Sequence, residues 1–366
     1  MKIQTVFPLW NSNEDRQKDE WSAINWKTVK TFARRLENSI AKAVKHGDWD
    51  QVHKLRRIWN SSKLVKLLAV RGPTQDNKGK RTAGVDGIKA TTGEQRLAIA
   101  NELKIDGVTT PLRRVYIPKP NGKKRPLGIP TIKERCKMAL AKGSIEPIYE
   151  QLAEPNSYGF RPARSIHDAI QAIFGSIKTK QKWVLEGDLK GFFDNISLDA
   201  ILNSPVITNL DKRTKTQIKA WVESGVIHEG TFEPTVTGTP QGGVISPLLA
   251  NIAFMGLEGM LNEWTRTWKG RKSNNVKTLS LVVYADDFVV MHESKEIIEE
   301  AKVKITKWCK NHMGVELSDE KTKITHTSSG FDFLGFNVRQ YQVTTKSCLK
   351  PLSNQVKLKS RPIKKY

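Results

Sequence analysis

Ser280–Met291 reads SLVVYADDFVVM: two apolar runs, Leu281-Val282-Val283 and Phe288-Val289-Val290, on either side of the acidic pair Asp286-Asp287. Short runs of β-branched and aromatic residues argue for strands. Side chains alternate faces along a strand, so two neighbouring carboxylates cannot both aim at one point from a regular strand. A tight hairpin turn at Ala285–Asp287 relieves that conflict and presents at least Asp286 at the surface of a sheet. An Asp-Asp doublet is equally at home in an ordinary acidic turn, so this stretch alone leaves both readings open.

A second acid shifts the balance. Lys182–Leu189, KWVLEGDL, is another apolar strand, and it ends at Asp188, 98 positions before Asp286. That separation excludes local pairing; a sheet that sets the two strand ends side by side would cluster the carboxylates. Clustered carboxylates raise one another's pKa unless cations neutralise them. Hard divalent ions with oxygen ligands, Mg²⁺ above all, suit such a cluster and bind substrate phosphates as well. Two such ions about 3.5–4 Å apart can activate an attacking hydroxyl and stabilise a leaving group in phosphoryl transfer.

Working outward, Thr237-Gly238-Thr239-Pro240-Gln241-Gly242-Gly243 is a Gly-rich loop that lets backbone approach a ligand closely, with Gln241 able to hydrogen-bond a sugar or a base edge. It reads equally as a plain turn before the helix that starts at Ser246-Pro247. Arg113–Ile117 alternates as a strand and leads into PKPNGKKRPLGIP, where Asn121-Gly122 predicts a type I′ hairpin. Lys119, Lys123, Lys124 and Arg125 on that hairpin suit a triphosphate, or simply solvent. Phe331–Val338 reads as a short strand or hairpin arm.

Before these elements, Val29, Phe32, Ala33, Leu36, Ile40, Ala43 and Val44 recur at helical spacing, with lysines and arginines over much of the remaining surface. A second helix is predicted from about Trp49 to Val70, with Val52, Leu55, Ile58 and Trp59 inward. Residues 71–90 read as a loop. A further helix spans about Thr131–Tyr149, with a weak point at Gly143-Ser144, because glycine costs roughly 1 kcal/mol against alanine in a helix. Strands and helices mix without the regular alternation of a doubly wound sheet and without internal repeats, so the fold class is α+β.

The chain has 366 residues, and 61 Lys+Arg against 37 Asp+Glu give a net charge of +24. Such an excess points to a polyanionic partner. There is no run of 18 apolar residues to cross a membrane, and MKIQTVFPLW lacks the apolar stretch of a secretory signal. Cys136, Cys309 and Cys348 have no CxxC spacing, which argues against a disulfide framework or a zinc site and suits a reducing compartment.

RTAGVDG (81–87), RPLGIP (125–130), NSYGFRPARSIHDAI (156–170), EGDLKGFFDNI (186–196), GTPQGGVISPLLANI (238–252), YADD (284–287), LSDEKTKI (317–324) and FDFLGF (331–336) follow one another in this order. Together they resemble the consecutive reverse transcriptase blocks of proteins encoded in group II introns, from about Trp21 to Tyr341. The resemblance implies right-hand polymerase fingers and palm, with a small antiparallel palm sheet packed on helices and a helical N-terminal extension. Its implied division is a flexible N-terminus (1–20), the extension and its loop (21–110), fingers and palm (111–341) and a basic tail at the start of a thumb (342–366).

By the same resemblance Asp188, Asp286 and Asp287 match the catalytic acids and hold two Mg²⁺ ions. Lys119 and Arg125 match residues on the incoming triphosphate, and Gln241 the residue near the nucleotide sugar. Phe193 matches the aromatic that blocks a ribose 2′-hydroxyl, or else is a core ring like Phe192. Intron RNA as template, a DNA primer or target, and dNTPs are the implied partners, in a bacterial cytoplasm or an organelle. The family usually continues into a thumb and maturase region, whereas 30 residues follow Phe336 and none is acidic. The implied activity is RNA-directed DNA polymerisation with a role in splicing and mobility; the alternative is an inactive, RNA-binding maturase-like remnant.

Overall fold

The computed structural model describes residues 20–118, 122, 124–235, 238, 242–342, 356–358 and 361–362. The chain divides into two compact units, Met1–Leu152 with Ile201–Leu249, and Ala153–Ala200 with Ala250–Tyr366.

The first unit is helices around a four-stranded sheet. Asn25 caps the helix Trp26–Lys45 by accepting from the Thr28 N–H, and Val29, Ala33, Leu36, Ile40, Ala43 and Val44 are buried, the stripe read from the sequence. The single helix expected over 49–70 is two, Trp49–Ser61 and Lys63–Arg71. Ser62 breaks it: its backbone is extended at φ −67 and ψ 124, and its hydroxyl caps the second helix. Ile58, expected inward, is 46% exposed.

The helix Ile132–Leu152 runs without interruption through Gly143 and Ser144, contrary to the expected weak point. The reason is packing. Trp59 donates its indole N–H to the Leu140 carbonyl at 2.8 Å, and a Cβ on Gly143 would lie 2.2 Å from the same ring, so the glycine admits the tryptophan. Ser144 is buried with its hydroxyl on the Ala141 carbonyl. Residues 71–90 are partly ordered into the short turns Gly72–Asp76 and Lys78–Arg81, and the Arg135 guanidinium donates to the carbonyls of Gly79, Thr82 and Pro130.

The sheet of this unit contains β1 (Leu112–Pro118), β2 (Lys124–Ile129), β4 (Val226–His228) and β5 (Thr231–Glu233), in the order β2-β1-β4-β5. β1 and β2 pair antiparallel with Pro118 opposite Lys124, the expected hairpin; β1 and β4 are parallel. The turn type at Asn121 falls outside the described residues.

The second unit is built on β3 (Trp183–Asp188), β6 (Ser280–Tyr284), β7 (Asp287–His292) and β8 (Lys323–His326) in the order β6-β7-β3-β8, antiparallel throughout. Val184, Val282, Val289 and Met291 form one core with Ala169, Ile173 and Ile177 of the helix Ile166–Ile177. The helix Lys295–Trp308 packs against β3 and β7. Phe331–Phe333 and Phe336–Val338 pair as a hairpin, and Phe331, Phe333 and Val338 join the same core. This is the α+β arrangement expected, a small antiparallel sheet packed on helices.

Candidate active site

The second unit brings the three predicted acids together at one end of its sheet. β6 and β7 form the expected hairpin, closed between Tyr284 and Asp287, with Ala285 at φ 58 to make the turn tight. Asp188, the last residue of β3, is registered directly against Asp287, the first of β7, so both side chains leave the same face. Gly187 just before it pairs with Phe288, whose ring lies where a Cβ would be, 2.1 Å away. A larger residue there would displace the aromatic that supports the strand end.

Asp287 carries the electrostatic cost of this arrangement. Burial first, then the neighbouring Asp286 and Asp188, push its carboxyl up to about 6, against a smaller opposing effect of Lys321. Lys321 donates from Nζ to both oxygens of Asp188 at 2.9 Å, and that bond raises its own pKa. Backbone pairing puts it there, because the Ser318 N–H donates to the Asp188 carbonyl at 2.8 Å and the Lys190 N–H to Glu316 at 2.9 Å. The sequence block 317–324 does not reveal this role of Lys321, since nothing in its spacing links it to an acid 133 positions away.

Three carboxylates against one ammonium leave an excess of negative charge made of hard oxygen donors, the chemistry a divalent cation takes. As the side chains stand, no group of three His, Cys, Asp or Glu converges closely enough to hold a metal among the described residues. Asp188 would have to exchange the Lys321 ammonium for the cation.

Two further features surround the acids. Asn156–Tyr158 runs along β6: the Val283 N–H donates to the Asn156 carbonyl and the Tyr158 N–H to the Val283 carbonyl, both at 2.9 Å. Phe193, on the short helix Phe192–Asn195 after Asp188, is half-buried between two rings, Phe192 at 5.6 Å and Phe160 at 6.3 Å.

Of the other predicted site residues, Arg125 lies in the first unit. Arg125 is exposed on β2, opposite Ile117. Lys119, Lys123 and Gln241 are outside the described residues. Next to Gln241, the backbone of Gly242, at φ +113, approaches the Gly128 carbonyl so closely that a Cβ would sit 2.9 Å from it.

A strand-end aspartate set beside a hairpin that carries two more, on an antiparallel sheet backed by helices, defines the palm of a nucleotidyl-transferring polymerase. Residues 117–338 match the reverse transcriptase (RNA-dependent DNA polymerase) family and residues 21–103 the N-terminal domain of reverse transcriptase. The chain is 34% identical over 293 residues to protein YkfC of Escherichia coli K12, covering 72% of this chain and 77% of that protein. It is 33% identical over 322 residues to the group II intron-encoded protein LtrA of Lactococcus lactis subsp. cremoris, covering 72% and 53%. An uncharacterized 91 kDa protein in the cob intron of Schizosaccharomyces pombe is 31% identical over 279 residues, covering 63% and 34%. The chain belongs to the reverse transcriptase family, in the branch of group II intron-encoded reverse transcriptases and maturases. It spans about half the length of LtrA.

Proposed function

We propose that this chain extends a DNA primer on intron RNA, adding dNTPs by phosphoryl transfer at Asp188, Asp286 and Asp287, and that its binding of intron RNA also serves splicing and mobility. The observation that carries the reading is the register of Asp188 against Asp287 beside the Asp286 turn. Such an arrangement has no structural benefit of its own, since like charges directly opposed on a sheet destabilise it.

The three aspartates would hold divalent metal, which supplies charge neutralisation at the transferring phosphate. The chain's own contributions are distinct. The sheet fixes the carboxylates relative to one another, and the family resemblance assigns Phe193 the role of the ring beside the nucleotide sugar. Arg125 offers a cation on the hairpin of the first unit, with Lys119 and Gln241 as further candidates from the resemblance.

RNA binding has its own support in the first unit. A cleft of about 1000 Å³ is lined by Lys54, Arg57, Lys104 and Arg213 over the apolar Ile58, Ile105 and Leu210. Lys54, Arg57 and Arg213 form no ion pair among the described residues.

The test is primer extension on an RNA template with dNTPs and Mg²⁺, beside Asp286→Ala. Extension by the wild type that the variant loses supports the reading. If neither extends while both bind RNA with a steep salt dependence, the chain is an RNA-binding protein without polymerase activity.

A further inference from the structure

We propose that Phe160 is a positioning residue that braces Phe193 against the nucleotide sugar, so that discrimination against ribonucleotides depends on two rings rather than one. This rests on the polymerase reading above and on the place of Phe193 in it.

Phe160 is conspicuous on two counts. It is 50% exposed, although a large ring gains by leaving water. Its backbone sits at φ 57, a left-handed conformation that is costly for a bulky residue and persists only where its surroundings impose it.

The surroundings do impose it, and they are the candidate active site itself. Residues 156–158 are hydrogen-bonded along β6 on both sides of Val283. Gly159 lies so close to the acidic turn that a Cβ would be 2.4 Å from the Ala285 nitrogen. Asn251 donates from Nδ2 to the Gly159 carbonyl at 2.8 Å, and the Arg161 guanidinium donates to the carbonyls of Glu154 at 3.0 Å and Ser157 at 2.7 Å. Phe160 is therefore held in a strained, solvent-facing conformation by the strand and turn that present Asp286.

What the strained ring touches is Phe193, edge to face at 6.3 Å and 73°. On its other side Phe193 meets Phe192 at 5.6 Å and 67°. Phe192 is buried and packs edge-on against Phe254 at 5.7 Å, so that wall is fixed by the core. Phe160 supplies a second wall. Excluding one extra hydroxyl demands a ring that does not yield, and small displacements at a reacting centre have large kinetic effects. Without Phe160, Phe193 gains room on its exposed side and can turn away from the sugar.

The experiment is single-nucleotide primer extension by the full chain on an RNA template, with a dNTP and the matching rNTP, reading kcat/KM for each. The proteins are wild type, Phe160→Ala, Phe160→Asn (an asparagine tolerates the left-handed backbone), Phe160→Tyr, Phe193→Ala and the double alanine variant. The expected result is that Phe160→Ala and Phe160→Asn lower the dNTP-to-rNTP ratio about tenfold, the scale of a missing contact in an apolar pocket. Phe160→Tyr, which keeps the ring, should keep the ratio. The double variant should be no less selective than Phe193→Ala, as expected for residues acting through one another.

A ratio that holds in both Phe160 variants but collapses in Phe193→Ala overturns the proposal and leaves the polymerase reading standing. Equal losses for dNTP and rNTP also overturn it, because they mark a structural role alone. A wild type that extends with neither nucleotide removes the polymerase reading and this proposal together.

Discussion

Asp188 closes β3, Asp287 opens β7, and the two are paired residue for residue across the sheet. Lys321, reaching both oxygens of Asp188 at 2.9 Å, is the cation that offsets this opposition. It stands where a metal would compete with it. Replacing Lys321 with methionine should therefore tighten Mg²⁺ binding by the protein without nucleic acid, roughly two- to fivefold given the modest energy of a partly exposed ion pair. Mn²⁺ titration followed by electron paramagnetic resonance, with Mg²⁺ as competitor, measures it. An affinity that is unchanged or weaker would show that the ammonium does not occupy the metal's place.

The hairpin around Asp286 and the strand ending at Asp188 were legible in the sequence because each is a short apolar run with its own periodicity. The long helix Trp26–Lys45 was legible for the same reason, its buried face repeating at three and four residues. Contacts made at a distance were not. Lys321 reaches Asp188 only because the backbone of Ser318 pairs with it, and Phe160 reaches Phe193 only because its segment lies along β6. The Ser62 break was hidden because a serine inside an otherwise helical run can either continue the helix or cap the next one.

Gly143 shows how a local rule fails when a neighbour is unknown. On propensity alone Gly143→Ala should stabilise the helix Ile132–Leu152 by up to about 1 kcal/mol. The Trp59 ring occupies the space of the new Cβ and is tied to the Leu140 carbonyl, and overpacking of this kind costs about 1–3 kcal/mol. The expected outcome is net destabilisation of roughly 1–2 kcal/mol, seen as a lower urea midpoint. In a Trp59→Leu background the alanine should do less harm. A raised midpoint in the single variant would mean that Trp59 yields.

The cleft of the first unit carries a separable prediction. Lys54→Glu, Arg57→Glu and Arg213→Glu combined should weaken RNA binding at least tenfold at low salt and flatten its salt dependence, since fewer counterions are released. Thermal stability should stay near wild type, because none of the three makes an ion pair among the described residues. Fluorescence anisotropy with a structured RNA across a salt series gives both numbers. Unchanged affinity and slope would place the RNA elsewhere on the chain.

The last prediction concerns pH and the end of β7 remote from the acids. His292 accepts the Ser294 backbone N–H on Nδ1 at 3.0 Å and meets the Trp268 ring edge-on at 5.5 Å. Burial, with a smaller effect of Lys182, holds its pKa below the ordinary histidine value. The unfolded chain therefore takes up a proton at higher pH than the folded one, and the bond to Ser294 needs Nδ1 unprotonated. Stability contributed by His292 is intact above about pH 6.5 and is lost as pH falls through the lower folded value. Asparagine can accept the same N–H without titrating. Between pH 7 and pH 5 the wild type should thus lose more thermal stability than His292→Asn, so the two melting temperatures should converge or cross on acidification. Parallel melting curves would mean that His292 stays solvated and its protonation is not coupled to folding.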